Sequence, residues 1–414
     1  LPQGVISHMY RDIAAHKIGT ITHVGLYTFV DPRNGGGKLN SATTEDIVKI
    51  VNIEGQERLL YKAFPINVVF VRGSYADEYG NCTVHHEIGP IDVTAMAQAC
   101  RNSGGKVIVQ VEKVVQGGTL DPKLVAIPGI YVDAIVIGSA EDNMQCLGTP
   151  YDGSLTGEYR IPMDAIPPIP LDAKKIIARR AAMELPQDAI VNLGTGAPEK
   201  IANVAAEEGI SDKMTLTVEA GSIAGVPMGG TQFGASANAM AIIPHNVQFD
   251  FYQGGGLDVA FLGLAETAPN GDLNVSKFGT RLAGAGGFID ITQNAKKVVY
   301  CGTFTAKGLK TECRDGALVI TQEGAKKKFV QQVEHITFSG RYAVETAQPV
   351  LYITERAVFE LRPDGVTLIE IAPGIDLQAQ VLDQMEFMPK IAPDLKLMDS
   401  RIFREEKMGL ADEK

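Results

Sequence analysis

The sequence predicts an α/β protein built from two related open α/β domains, and three observations lead there. Short β-branched runs alternate with helical patterns between turns marked by glycine or aspartate. Glycine supplies 44 of the 414 residues, against an average of roughly 7% and without a G-X-Y period, so many turns must be tight. The order of strands and turns in the first half is also echoed in the second.

Taken in order, the first half carries strand patterns at 67–71, Lys106–Val111 and Ala134–Ile137. The stretch 161–170 then holds Pro162, Pro167, Pro168 and Pro170, which exclude a helix interior and a central strand. It predicts a linker at 161–171 between a first domain at 1–160 and a second at 172–414. Asp172 can cap a helix through Ile176, Ile177, Ala181 and Leu185, which share one apolar stripe. A strand at 189–193, the turn Gly194-Thr195-Gly196-Ala197-Pro198 and a helix through Ile201, Val204 and Ala205 follow, with Pro198 suited to the first helical turn. Further strands are expected at 214–218, 259–262, Val298–Cys301 and 318–321. The echo sets 72–81, Gly104-Gly105 and the strand after them against 262–274, Gly286-Gly287 and the strand ending at Val299. Its period is far longer than a solenoid repeat, so it implies two related units, with chance similarity of two glycine-rich α/β units as the alternative.

Charge and cysteine usage narrow the function classes. Lys and Arg total 38 against 49 Asp and Glu, a net −11 that opposes binding to nucleic acid or anionic lipid. Cys82, Cys100, Cys146, Cys301 and Cys313 are odd in number and widely spaced, which favours a reducing compartment over a disulfide scaffold. No run reaches the roughly 18 apolar residues of a membrane span, and a cytoplasmic location is expected. The chain starts with Leu1 rather than Met, which implies a longer gene product. None of the histidines falls in a metal-ligand spacing. If they lie on a strand, His85 and His86 point to opposite faces, which makes one buried and one solvated the default. Neither a G-x-S-x-G elbow nor a G-x-x-x-x-G-K-[ST] loop is present.

Two features point to chemistry. Glu219 follows a strand and precedes Gly221, Gly225, Gly229 and Gly230, which places a carboxylate at a sheet rim beneath a mobile glycine loop. A solvated acid is the alternative. In Gly284-Ala285-Gly286-Gly287-Phe288, small residues let backbone amides converge on an oxyanion, or make a plain bulge. Gly194 and Gly196 open a helix that could face an anion, or form a simple turn. Cys301 reads as a buried, inert thiol, Thr354-Glu355-Arg356 as a structural ion pair in preference to a cofactor contact, and Met228, Phe233 and Phe251 as core in preference to a pocket wall.

Val218-Glu219-Ala220-Gly221, Gly254-Gly255-Gly256-Leu257-Asp258 and Gly284-Ala285-Gly286-Gly287-Phe288 together resemble the family I coenzyme A transferases, in particular the propionate and acetate CoA-transferases. The resemblance covers essentially the whole chain, including Phe29-Val30-Asp31-Pro32-Arg33, 128–133 and 372–376. It implies two related α/β domains around the active site, Glu219 as the covalent nucleophile and Gly284, Ala285, Gly286 and Gly287 as oxyanion contacts. Gly194, Gly196, Gly254, Gly255 and Gly256 are expected to contact CoA. Two departures stand out. The family usually has Ser or Asn where this chain has Ala220, and its members begin well before the position of Leu1 with a glycine-rich segment that the first domain here lacks.

The resemblance implies CoA transfer between short-chain acyl-CoA and a carboxylic acid by a ping-pong route through a glutamyl-CoA thioester. CoA is then substrate and transient adduct, with no permanently bound cofactor and no metal, and a homo-oligomer is expected. An acyl-CoA hydrolase on the same scaffold, or a non-catalytic acyl-CoA-binding subunit suggested by Ala220 and the absent segment, are the alternatives.

Overall fold

The computed structural model describes residues 1–162 and 168–412, so the centre of the expected linker, residues 163–167, lies outside the described residues. Two compact units emerge: Leu1–Val24, Val30–Pro162 and Leu216–Tyr252 form the first, and Gly25–Phe29, Met163–Thr215 and Gln253–Lys414 the second. The division departs from a single cut at the proline-rich stretch. Leu216–Tyr252, which carries Glu219, clusters with the first unit.

In the first unit, Val68–Arg72, Lys106–Val111 and Ala134–Ile137 form a parallel sheet with Lys106–Val111 in the centre. Strand alternation sends Val69, Val71, Val107, Val109 and Val111 to one face, where Ala97 and Cys100 of the Val93–Asn102 helix cover them. The opposite face carries Val68, Phe70 and Val136, and Phe70 is 74% exposed. Parallel sheets are normally covered on both faces, so this open apolar face is unusual.

The second unit is built on the parallel strands Ala189–Leu193, Val259–Gly263, Val298–Cys301 and Val350–Ile353, which pair in that order. Ala357–Arg362 and Gly365–Ile371 continue the sheet antiparallel, and Lys390–Leu397 adds a parallel edge. Every residue of Val298–Cys301 and Val350–Ile353 is buried, as expected of central parallel strands. Cys301 is among them, and burial pushes its thiol pKa far up, which fits an inert side chain.

Asp172 caps its helix as expected, its carboxylate accepting from the Lys175 amide at 2.9 Å. The helix is Ala173–Ala182 and stops short of Leu185. The next one, Lys200–Glu208, begins after Pro198, which sits in the turn leading into it. The fully buried Arg356 donates to Glu355 at 2.6 Å and to Glu323 at 2.6 and 3.1 Å, so the 354–356 segment does form an ion pair.

The echo between the halves persists at atomic detail. In the first unit Tyr75–Asp77 turns back through a Gly80 amide bond to the Asp77 carbonyl into Cys82–Thr83, and the Gly129 amide donates to Asn81 Oδ1 at 2.9 Å. In the second unit Glu266–Thr267 turns back through Gly271 to Ala268 into Leu273–Asn274, and the Gly340 amide donates to Asp272 Oδ1 at 2.8 Å. At both places two backbones cross without room for a side chain. A Cβ on Gly129 would lie 2.1 Å from the Tyr79 carbonyl oxygen, and one on Gly340 2.1 Å from that of Asn270. Only the expected match of paired glycines fails. Gly104-Gly105 precedes a strand directly, whereas Gly286-Gly287 leads into the helix Phe288–Asn294.

Because backbone cannot yield as a flexible side chain does, Gly129→Ala and Gly340→Ala should each cost about 1–3 kcal/mol of stability. Calorimetry should show a lowered thermal midpoint for both, and an unchanged midpoint would show that the crossing relaxes freely.

Candidate active site

The strand Met214–Thr217 ends two residues before Glu219, and the Gly221 amide donates to the Val218 carbonyl at 3.0 Å, closing a tight turn with Glu219 and Ala220 at its tip. The Ser222–Ile223 strand leaves antiparallel, with Thr217 opposite Ile223. Gly221 has φ +116, and a Cβ there would sit 1.9 Å from the Ile243 carbonyl oxygen. The Ile243 amide in turn donates to the Gly221 carbonyl at 3.0 Å. Only glycine satisfies both conditions, so the turn that presents the carboxylate is set by its backbone.

Around this tip the first unit supplies small or apolar neighbours. Gly89 lies against the Ala220 carbonyl and Ile242, and Gly234 faces Ile88 and the Ala220 methyl. The glycine loop after Glu219 is a formed hairpin, Val226–Pro227 against Ser236–Ala237, tied by the Met228 amide to the Ala235 carbonyl at 2.9 Å. Met228 packs on Leu155, Ala235 and Ala237, as expected of core. Phe233 and Phe251 do not, being 49% and 41% exposed.

Sequence reasoning missed the helix that backs the turn. Along His245–Gln253, residues 245, 248 and 252 share one face. The His245 Nδ1 lies 2.9 Å from Asp92 Oδ2, and the other Asp92 oxygen accepts from the Ser7 hydroxyl. Gln248 Nε2 reaches the Val218 carbonyl at 3.3 Å and the Tyr252 hydroxyl at 3.0 Å, and that hydroxyl donates to Thr217 Oγ1 at 2.9 Å. The signal was present as polar residues at helical spacing, but spacing does not reveal whether a polar face is wet or buried. His85 and His86 also depart from expectation. They occupy the turn after Cys82–Thr83, both half-buried, with ring centroids 4.3 Å apart.

In the second unit the candidate glycines separate into three places. Gly194 and Gly196 follow the carboxyl end of Ala189–Leu193, the Gly194 amide bonding to the Phe261 carbonyl at 2.8 Å. Gly254, Gly255 and Gly256 close the turn before Val259–Gly263, at the amino end of that strand. The structure therefore does not bring Gly254–Gly256 to the sheet end where Gly194 and Gly196 lie. Gly284, Ala285, Gly286 and Gly287 lead into Phe288–Asn294. The Gly284 amide is already committed to the Ser276 carbonyl at 3.1 Å. Among the described residues the amides of Ala285, Gly286 and Gly287 have no such backbone acceptor.

A buried polar network scaffolds this segment. Asn274 donates to Glu266 at 2.8 Å and to the Lys277 carbonyl at 2.7 Å, and accepts from the Ser276 amide at 3.0 Å. The Ser276 hydroxyl contacts His335 Nδ1 at 2.7 Å and Thr337 Oγ1 at 2.6 Å. Burial, aided by Lys277, lowers the His335 pKa from its ordinary 6.5 to about 4. Neutral His335 can therefore share the Ser276 proton without bringing a charge to the glycine segment.

A family model described as coenzyme A transferase matches residues 1–138. Caffeate CoA-transferase of Acetobacterium woodii is 50% identical over 99% of this chain and 79% of its own length. The acetate CoA-transferase YdiF of Escherichia coli O157:H7 is 46% identical over 99% of this chain and 77% of its own. The crystal structure of the YdiF apoenzyme superposes with a TM-score of 0.93, covering 99% of this chain and 77% of that one at 46% identity, and its thioester complex with CoA superposes at 0.92. The chain belongs to the coenzyme A transferase family, and it is an enzyme of the CoA-transferase class. No helix among the described residues is long and apolar enough to cross a membrane.

Two predictions follow from the local geometry. Gly221→Ala should abolish transferase activity and lower the thermal midpoint, as read by steady-state assay and calorimetry on the same sample. For His335 the lowered pKa sets the sign: its contribution to stability is complete above pH 6.5 and lost as the pH falls toward 4, because the unfolded chain takes up the proton first. Urea unfolding midpoints should therefore fall over that window, and His335→Gln should flatten part of the slope.

Proposed function

We propose that the protein moves CoA between a short-chain acyl-CoA, such as acetyl-CoA or propionyl-CoA, and a carboxylic acid, with Glu219 as the covalent carrier. The observation that carries this reading is the enforced turn at Val218–Gly221, which holds one carboxylate at its tip. The acetate CoA-transferase named among the relatives supports the short-chain assignment, and the thioester complex of YdiF with CoA supports a covalent route.

In the proposed cycle the Glu219 carboxylate attacks the thioester carbonyl of the donor. The amides of Ala285, Gly286 and Gly287 are assigned to the oxyanion, and collapse breaks the C–S bond to give a mixed anhydride and CoA thiolate. The thiolate then attacks the Glu219 acyl carbon and expels the first carboxylate, leaving a glutamyl-CoA thioester. An acceptor carboxylate attacks that thioester and the steps run in reverse. One thioester replaces another, so no external energy source enters. CoA is substrate and transient adduct throughout. A cytoplasmic homo-oligomer acting on soluble substrates completes the reading.

Incubation with acetyl-CoA and no acceptor should leave CoA bound to the peptide containing Glu219, detected by mass spectrometry. Glu219→Gln should form no adduct and show no acetate/acetyl-CoA exchange while keeping the wild-type thermal midpoint. Undiminished exchange in that variant would overturn the assignment.

A further inference from the structure

We propose that Gln248 is a positioning residue for the Glu219 carboxylate, an inference that rests on the nucleophile reading above. Gln248 is fully buried, and both hydrogens of its amide are placed: one on the Val218 carbonyl at 3.3 Å, the other on the Tyr252 hydroxyl at 3.0 Å. Tyr252, also fully buried, passes the chain of donors to Thr217 Oγ1 at 2.9 Å. One helix face thus grips the two residues immediately before Glu219. The Val218 carbonyl also accepts from Gly221 at 3.0 Å, so both of its lone pairs are used and its direction is set from two sides.

A second observation separates this role from ordinary core packing. The Gln248 Oε1 is buried with no hydrogen-bond partner. An unpaired buried acceptor is a stability cost that a leucine of similar length would not carry. A polar side chain retained with half of its amide unsatisfied, directly behind a reactive turn, marks a place where positioning outweighs stability.

The proposed chemistry explains what the orientation achieves. Glu219 must meet a carbonyl carbon as nucleophile and then, once acylated, be met by a thiolate. Both encounters need reacting atoms within about 3–3.5 Å and aligned. A turn free to rock lowers the aligned fraction in each step without changing how acyl-CoA is recognised in the ground state. The loss therefore falls on kcat and leaves KM in place.

The test uses the full chain with acetyl-CoA, following adduct formation at Glu219 by rapid quench and counting competent sites from the final adduct. Gln248→Leu is expected to slow adduct formation per competent site about ten- to a hundredfold, with KM for acetyl-CoA unchanged. Tyr252→Phe keeps the Val218 contact and cuts the Thr217 contact, so a smaller fall in the same constant is expected. A wild-type rate per competent site in Gln248→Leu overturns the proposal. If that variant does not fold, a wild-type rate per competent site in Tyr252→Phe overturns it instead. Wild-type protein that forms no adduct at Glu219 refutes the nucleophile reading, whereas wild-type adduct formation with equal rates in the variants refutes only the role of Gln248.

Discussion

The α-carbon of Gly221 and the carbonyl oxygen of Ile243 approach so closely that no side chain can stand between them. That contact sets the turn, the turn has Glu219 at its tip, and the segment containing Ile243 runs directly into the helix that carries Gln248. Backbone constraint is the physical element here. In the proposed cycle a carboxylate bonded in succession to an acyl group and to sulfur gains from a support that does not change its own hydrogen bonds at each step, and backbone offers that more fully than flexible side chains.

The second unit solves its part with the same economy. Its glycine segment offers amides rather than charged donors, and the polar groups behind it are internally satisfied: Asn274 on Glu266, Ser276 on His335 and Thr337. Lys326 balances Glu266 at 3.0 Å. A neutral His335 keeps this scaffold from competing for an anion by adding a mobile proton. The buried charge of Arg356 is answered by two carboxylates.

Much of this was legible in the sequence, for identifiable reasons. Strands such as Val298–Cys301 are buried on both faces and so read as unbroken β-branched or aromatic runs. Glu219 stood out as an acid between a strand and a glycine-rich stretch, a position that leaves a solvated acid open, and its expected role came from the resemblance to the transferase motif. Its turn was not visible, since its geometry depends on Ile243, which no local pattern connects to Gly221. His85 and His86 were misplaced because alternation holds only inside a strand, and the strand ends at Thr83. Phe233 and Phe251 were assigned to the core on residue type alone, which says nothing about the direction of a loop or a helix face. Gly284 carried an expected oxyanion role until its amide was found on Ser276, a pairing that only tertiary structure reveals.

The uncovered side of the Val68–Arg72 sheet has a consequence of a different kind. Phe70, Val68 and Val136 keep water against hydrocarbon on the two edge strands that flank Lys106–Val111. Surface of this kind favours association: sulfate should strengthen its burial, and dilute urea, which solvates it, should weaken that burial.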